Sequence, residues 1–84
     1  MEVELSAKAG RQWKQLLKNP RLLGRIEKAL DRIATDPYSG KPLAAELSGM
    51  WSYRVGDWRI VYKIVHERLV ILVLSIAHRK EVYK

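Results

Sequence analysis

The chain contains no cysteine, which excludes disulfides and any thiolate metal site. Its two histidines, His66 and His78, are isolated and do not make a zinc site, so no metal and no cofactor is expected. No apolar run approaches the ~20 residues that span a bilayer; the longest, Leu69 to Ala77, is interrupted by Ser75. The opening MEVELS lacks the basic-then-apolar profile of a secretory leader. Repeats, low-complexity tracts and linkers are missing too. These absences lead to the expectation of a soluble, cytoplasmic protein without membrane contact. Residues 1–84 should form a single domain with a small core, since a chain this short buries only about 60% of its unfolded surface.

Negative charge is also scarce. Sixteen Lys and Arg stand against nine Asp and Glu, a net charge of +7, and the isoelectric point is near 10. The excess is not a basic tail: both halves of the chain share it. A small domain that is basic throughout points to a polyanionic partner, usually a nucleic acid.

What is present reads as a short strand, two helices and a run of strands. MEVEL alternates apolar and acidic residues. Ser6 is a good N-cap, and Ala9, Trp13, Leu16 and Leu17 then recur at helical spacing. Asn19-Pro20 ends that helix and starts a second, with Asn19 as cap and Pro20 at the first helical position. Leu22, Leu23, Ile26, Leu30 and Ile33 give the second helix its apolar face, and it stops before Pro37. Its other side carries Arg21, Arg25, Lys28 and Arg32 at steps of four, three and four residues. They form a basic stripe suited to phosphates, which only Glu27 and Asp31 are positioned to neutralise. Residues 37–49 are a Pro/Gly-rich connection in which Leu43 and Leu47 are the expected anchors. Strands follow at about 50–55, 58–65 and 68–78.

Gly56-Asp57, between two strand-like runs in SYRVGDWRIVYK, signals a two-residue hairpin turn. Such a turn sets Arg54 opposite Arg59, and Trp51, Tyr53, Val55, Trp58, Ile60 and Tyr62 on one face. Like charges directly opposite are unfavourable on the ~0.2–1 kcal/mol scale of cross-strand pairs, so the arginine pair suggests an anion between them. The expected fold is α+β: two N-terminal helices packed on the aromatic face of a four-stranded, mainly antiparallel sheet, in the order βααβββ. The last strand is apolar on both faces. Its Val70, Leu72 and Leu74 would join the arginine face and need cover from a partner.

The run KPLAAELSGMWSYRVGDWRIVYKI followed by LVILVLSIAHRKEVYK resembles the RelE/ParE toxin superfamily of type II toxin–antitoxin pairs. The ending AHRKEVY is closer to the RelE-like branch. The resemblance implies ribosome-dependent, metal-independent mRNA cleavage by attack of a 2′-OH on phosphate. It also implies neutralisation by an acidic, RelB-like antitoxin; the alternatives are a ParE-like inhibitor of DNA gyrase without catalysis, or a non-toxic RNA- or antitoxin-binding module. Arg59 and Arg79 match the arginines that stabilise the charged phosphate in RelE-like toxins, and Tyr83 matches a C-terminal tyrosine that stacks on a base or moves a proton. His78 is a further candidate, because histidine titrates near neutral pH; Lys63 and Lys41 remain open for the same role. Arg54, Lys63, Lys41 and Lys80, with the stripe on the second helix, are the expected phosphate contacts. Val70, Leu72, Leu74, Arg54 and Arg59 are the expected antitoxin contacts. Some ribosome-dependent members carry two lysines where this chain has Met50 and Ser52.

Overall fold

The computed structural model describes residues 1–82. Strand β1 (Glu2–Leu5) leads into helix α1 (Ala7–Leu16) and helix α2 (Pro20–Thr35). A two-residue strand β2 (Lys41–Pro42), β3 (Met50–Val55), β4 (Trp58–Val65), β5 (Val70–His78) and a single helical turn α3 (Arg79–Val82) follow. The helix starts follow from local chemistry. Ser6 Oγ accepts the Ala9 N–H at 3.1 Å. Asn19 Oδ1 accepts the Leu22 N–H at 3.3 Å, with Pro20 in the first turn, where its missing N–H costs nothing.

The sheet order is β1-β5-β4-β3-β2. The expected sheet is therefore corrected to five strands of mixed direction: β1 runs parallel to β5, and the other pairs are antiparallel. β2 escapes sequence reading because two residues carry no alternation and one is proline, confined to sheet edges by its missing donor. It pairs Lys41 with Ser52 and Pro42 with Trp51, at the outer edge of β3. The hairpin register is the expected one, with Val55 opposite Trp58 and Arg54 opposite Arg59. Gly56 sits at φ +59°, the left-handed conformation that such a turn requires.

Both helices cover the aromatic face. Ile26, Ile33, Ile60, Tyr62, Ile71 and Val73 are fully buried there, with Trp13, Trp51, Tyr53 and Trp58 packed around them. Leu17, expected in the core, is 58% exposed, because α1 ends at Leu16 and Leu17 only caps it. Leu47 is 40% exposed and does not anchor the connection. The last strand begins at Val70 rather than residue 68. Residues 66–68 form a 3₁₀ turn, and Leu69 takes a left-handed φ of 55° and is exposed. A register shift follows between Val61 and Tyr62: Val61 faces Ser75, and Tyr62 faces Val73. Leu74 is the extra residue of this bulge, so it does not continue the alternation of Val70 and Leu72. Val70 is buried, while Leu72 and Leu74 are half-buried. The apolar face expected from these three residues is accordingly smaller than simple alternation predicts.

Candidate functional site

The open face of the sheet, away from the helices, carries the arginine pair. Beside it the Ser39–Leu43 segment and Ser52, Tyr53, Arg54 and Arg59 enclose a cleft of about 490 Å³. The segment is fixed from beneath by Tyr62, whose side chain is fully buried. The Tyr62 hydroxyl donates to Pro37 O at 2.7 Å and accepts the Gly40 N–H at 3.2 Å. Burial pushes the Tyr62 hydroxyl pKa up, while the Gly40 amide pulls the other way. Gly40 is required by contact: a Cβ there would lie 2.7 Å from both Ser52 O and the Tyr62 hydroxyl. Asp36 Oδ1 accepts the Tyr38 N–H at 3.2 Å. The Tyr38 ring meets Trp51 edge-on, and Trp51 stacks over Tyr62.

Three buried polar atoms lack a hydrogen-bond partner among the described residues: Arg59 Nε, Ser52 Oγ and Ser39 Oγ. All three belong to residues lining this cleft. A buried unpaired donor costs about 1–3 kcal/mol, and more when charged; its persistence is a reason to look for a ligand. No carboxylate lines the cleft, and Lys41 and Arg54 add positive charge at its walls. The exposed Arg54 is held by its Nε donating to Gly56 O at 3.1 Å. A guanidinium N–H, hydroxyls and further cations around one hollow suit an anion with several oxygens, such as a phosphodiester.

The other sequence-derived residues are distributed unequally around this cleft. Lys63 is exposed between Met50 and Leu72, further along the open face and outside the cleft. His78 pairs across the ladder with Trp58, on the helix face, and its ring meets that of Trp58 edge-on at 5.9 Å. His78 Nδ1 accepts the Lys80 N–H at 3.3 Å. His78 lines a second hollow, of about 290 Å³, with Arg21, Arg25, Asp57 and Trp58. Arg79 is exposed at the start of α3; its N–H donates to Asp57 O at 2.7 Å and its Nε lies 3.9 Å from Asp57 Oδ1. The structure thus brings Arg54, Arg59 and Lys41 together and leaves His78 and Arg79 outside their cleft. Lys80, Arg21, Arg25, Lys28 and Arg32 are exposed. Tyr83 lies outside the described residues. Sequence reasoning missed Ser39 and Gly40 as parts of the site. The Gly-Lys-Pro run was visible, but its approach to Ser52 depends on a tertiary contact with Tyr62.

Among the described residues, no helix is long and apolar enough to cross a membrane. Among the described residues, no three His, Asp or Glu side chains come together as metal ligands would.

Residues 3–83 match the sequence model of the ParE toxin of type II toxin–antitoxin systems. The chain is 36% identical over 67 residues to Toxin RelG of Mycobacterium tuberculosis, covering 77% of each protein. It is 43% identical over 53 residues to Toxin YoeB of Streptomyces coelicolor, covering 57% of this chain and 63% of that one. Among solved structures it is similar to a chain of the RelBE2 toxin–antitoxin complex of Mycobacterium tuberculosis. The TM-score is 0.80 at 34% identity, over 93% of this chain and 96% of that one.

Proposed function

The chain belongs to the ParE toxin family of type II toxin–antitoxin systems, within the RelE/ParE superfamily, and from that premise we propose that it is a ribosome-dependent mRNA endoribonuclease. The observation that carries this reading is the group of unpartnered donors, Arg59 Nε with the Ser52 and Ser39 hydroxyls, in a cleft free of carboxylates. A phosphodiester seated there has its developing charge met by groups already in place. Such preorganised stabilisation is commonly the largest single contribution to a reaction of this kind. The RNA 2′-oxygen attacks the adjacent phosphorus, the bond to the 5′-oxygen breaks, and the 2′-proton and the leaving oxygen each need a proton-transfer partner. Of the candidates, Lys41 lines the cleft, and its ammonium suits protonation of the leaving oxygen.

The resting partner is an antitoxin, as in the RelBE2 toxin–antitoxin complex of the structural relative, and the net charge of +7 suits an acidic one. Its carboxylates would compete with phosphate for Arg54 and Arg59, and its apolar side chains would cover Leu72 and the exposed Leu69.

Primer extension on translated and untranslated copies of one message, after induction of the chain, tests the reading. Cuts confined to the translated copy and phased to codons support it. Intact message with inhibited supercoiling in a purified gyrase assay replaces it with the gyrase-directed alternative, which the family name ParE keeps in view.

A further inference from the structure

Cleavage by a 2′-hydroxyl needs more than a seat for the phosphate. The hydroxyl must be turned so that its oxygen faces the phosphorus, in line with the departing 5′-oxygen. Fixing that direction takes an acceptor for its hydrogen. Arginine and lysine cannot serve, since neither side chain carries an acceptor. The charged side chains lining the cleft are Lys41, Arg54 and Arg59; among the described residues no carboxylate or histidine joins them. Tyr53 belongs to the helix-side face, where it packs on the core. The side-chain acceptors left at the cleft are the hydroxyls of Ser39 and Ser52. Both lack a partner among the described residues, so they do not satisfy each other.

We propose that Ser52 Oγ is the acceptor that orients the ribose 2′-hydroxyl, and so is the atom by which the cleft tells RNA from DNA. The inference rests on the nuclease reading above and adds to it a contact with the sugar rather than with the phosphate.

Position in the sheet singles out Ser52. It stands between Lys41 on β2 and Val61 on β4, and the next pair on the same face is Arg54 with Arg59. Arg59 is thus its diagonal neighbour, a relation that places residues about 7–8 Å apart. The 2′-oxygen and the phosphate hang from neighbouring carbons of one sugar, so a phosphate held at Arg59 brings that sugar to Ser52. Depth agrees. Ser52 is 6% exposed, at the floor of the cleft, while Lys41 directly across from it is exposed. Attacking and leaving oxygens lie on opposite sides of the phosphorus, and a short neutral side chain below with a long cationic one above matches the two. Ser39 sits instead on the wall segment that Tyr62 anchors, off the strand that faces Arg59. Stability alone favours an apolar residue at position 52, since a buried hydroxyl without a partner is unfavourable. A serine hydroxyl is a weak base, so Ser52 directs the O–H without taking the proton.

The test measures binding of the full chain to ribosomes programmed with messages altered at one sugar, that of the nucleotide 5′ to the cut. A 2′-amino group donates a hydrogen bond and a 2′-fluoro group does not, and neither message is cut. The two sugars also differ in pucker, but that difference is common to every protein variant and cancels in the ratio of the two affinities. From native chain to Ser52→Ala the preference for 2′-amino over 2′-fluoro should fall by about three- to tenfold, the scale of one neutral hydrogen bond. Ser39→Ala should leave the preference as it is. On unmodified message, Ser52→Ala should lower kcat by about tenfold or more, as a misdirected nucleophile does. It should melt no lower than the native chain, because only an unpartnered hydroxyl is lost. A preference that Ser52→Ala does not change overturns the proposal, and so does an equal fall in Ser39→Ala. A native chain that leaves the unmodified translated message whole removes the nuclease reading, while the affinity ratio still decides the ribose contact. Normal cutting with an unchanged ratio removes the ribose contact alone.

Discussion

Arg59 and His78 occupy adjacent positions across the β4–β5 ladder but opposite faces of the sheet. Arg59 pairs with Ala77 on the open side, and Trp58 pairs with His78 on the helix side. Neighbouring residues of a strand point to opposite faces, so one step in register separates the arginine of the cleft from the histidine beneath. On the nuclease reading proposed above, His78→Gln is therefore expected to leave both the kcat and the pH profile of cleavage unchanged. A pH–rate series on programmed ribosomes, native against variant, checks this; a vanished limb of the profile would place His78 in proton transfer after all.

Arg59→Ala should separate activity from stability. Its Nε is buried without a partner among the described residues, so truncation relieves an uncompensated donor rather than breaking a bond. The variant should melt within a few degrees of the native chain. If the phosphate charge is met in the cleft, kcat should fall by about 10²–10³, the scale of losing one oxyanion donor. Thermal melts and single-turnover cleavage on the same preparation give both numbers.

Tyr62 holds the Pro37–Gly40 segment through one hydroxyl. Tyr62→Phe leaves the Gly40 N–H and Pro37 O without that partner and should cost about 1–3 kcal/mol. It should also change the alkaline behaviour. Burial raises this hydroxyl's pKa above the ordinary tyrosine value, about 10, so the folded state favours the neutral form. Its contribution is complete below about pH 10 and is lost as pH rises past that toward the higher folded value. Denaturant titrations from pH 8 to 11 should show the native chain losing part of its advantage over Tyr62→Phe in the alkaline range.

Several features were legible because local chemistry over-determines them. The Gly56-Asp57 turn fixes a register, and with it the Arg54–Arg59 pair and the aromatic core face. Ser6 and Asn19-Pro20 set the helix starts. What escaped was set by contacts between distant parts of the chain. β2 forms because Tyr62 anchors the residues just before it. The bulge at Leu74 interrupts an alternation that reads as unbroken in LVILVLSIA. Glu27 and Asp31, which the sequence offers as neutralisers of the α2 cations, instead border the opposite groove with Val3, Leu5, Trp13 and Leu30. That segregation depends on which side of the helix meets α1 and β1, which helical spacing alone leaves open.

Two glycines give the sharpest contrast between local and tertiary demand. Gly24 lies inside α2 with no atom within 4 Å of where a Cβ would stand. Gly24→Ala should therefore stabilise the chain by about 0.5–1 kcal/mol, the usual helix-interior difference. Gly40 is in the reverse situation. An added methyl would meet a backbone carbonyl and a buried hydroxyl at 2.7 Å, neither of which moves freely. Gly40→Ala should cost about 1–3 kcal/mol, as overpacking does, and lower the melting temperature by several degrees in a domain of this size. Because relief must come from lifting the Ser39–Leu43 wall away from Ser52, the same variant should also lose cleavage. In Gly24→Ala, where the new methyl meets open space, the melting temperature should rise and cleavage should hold. If Gly40→Ala cuts normally, the cleft wall is not part of the active surface.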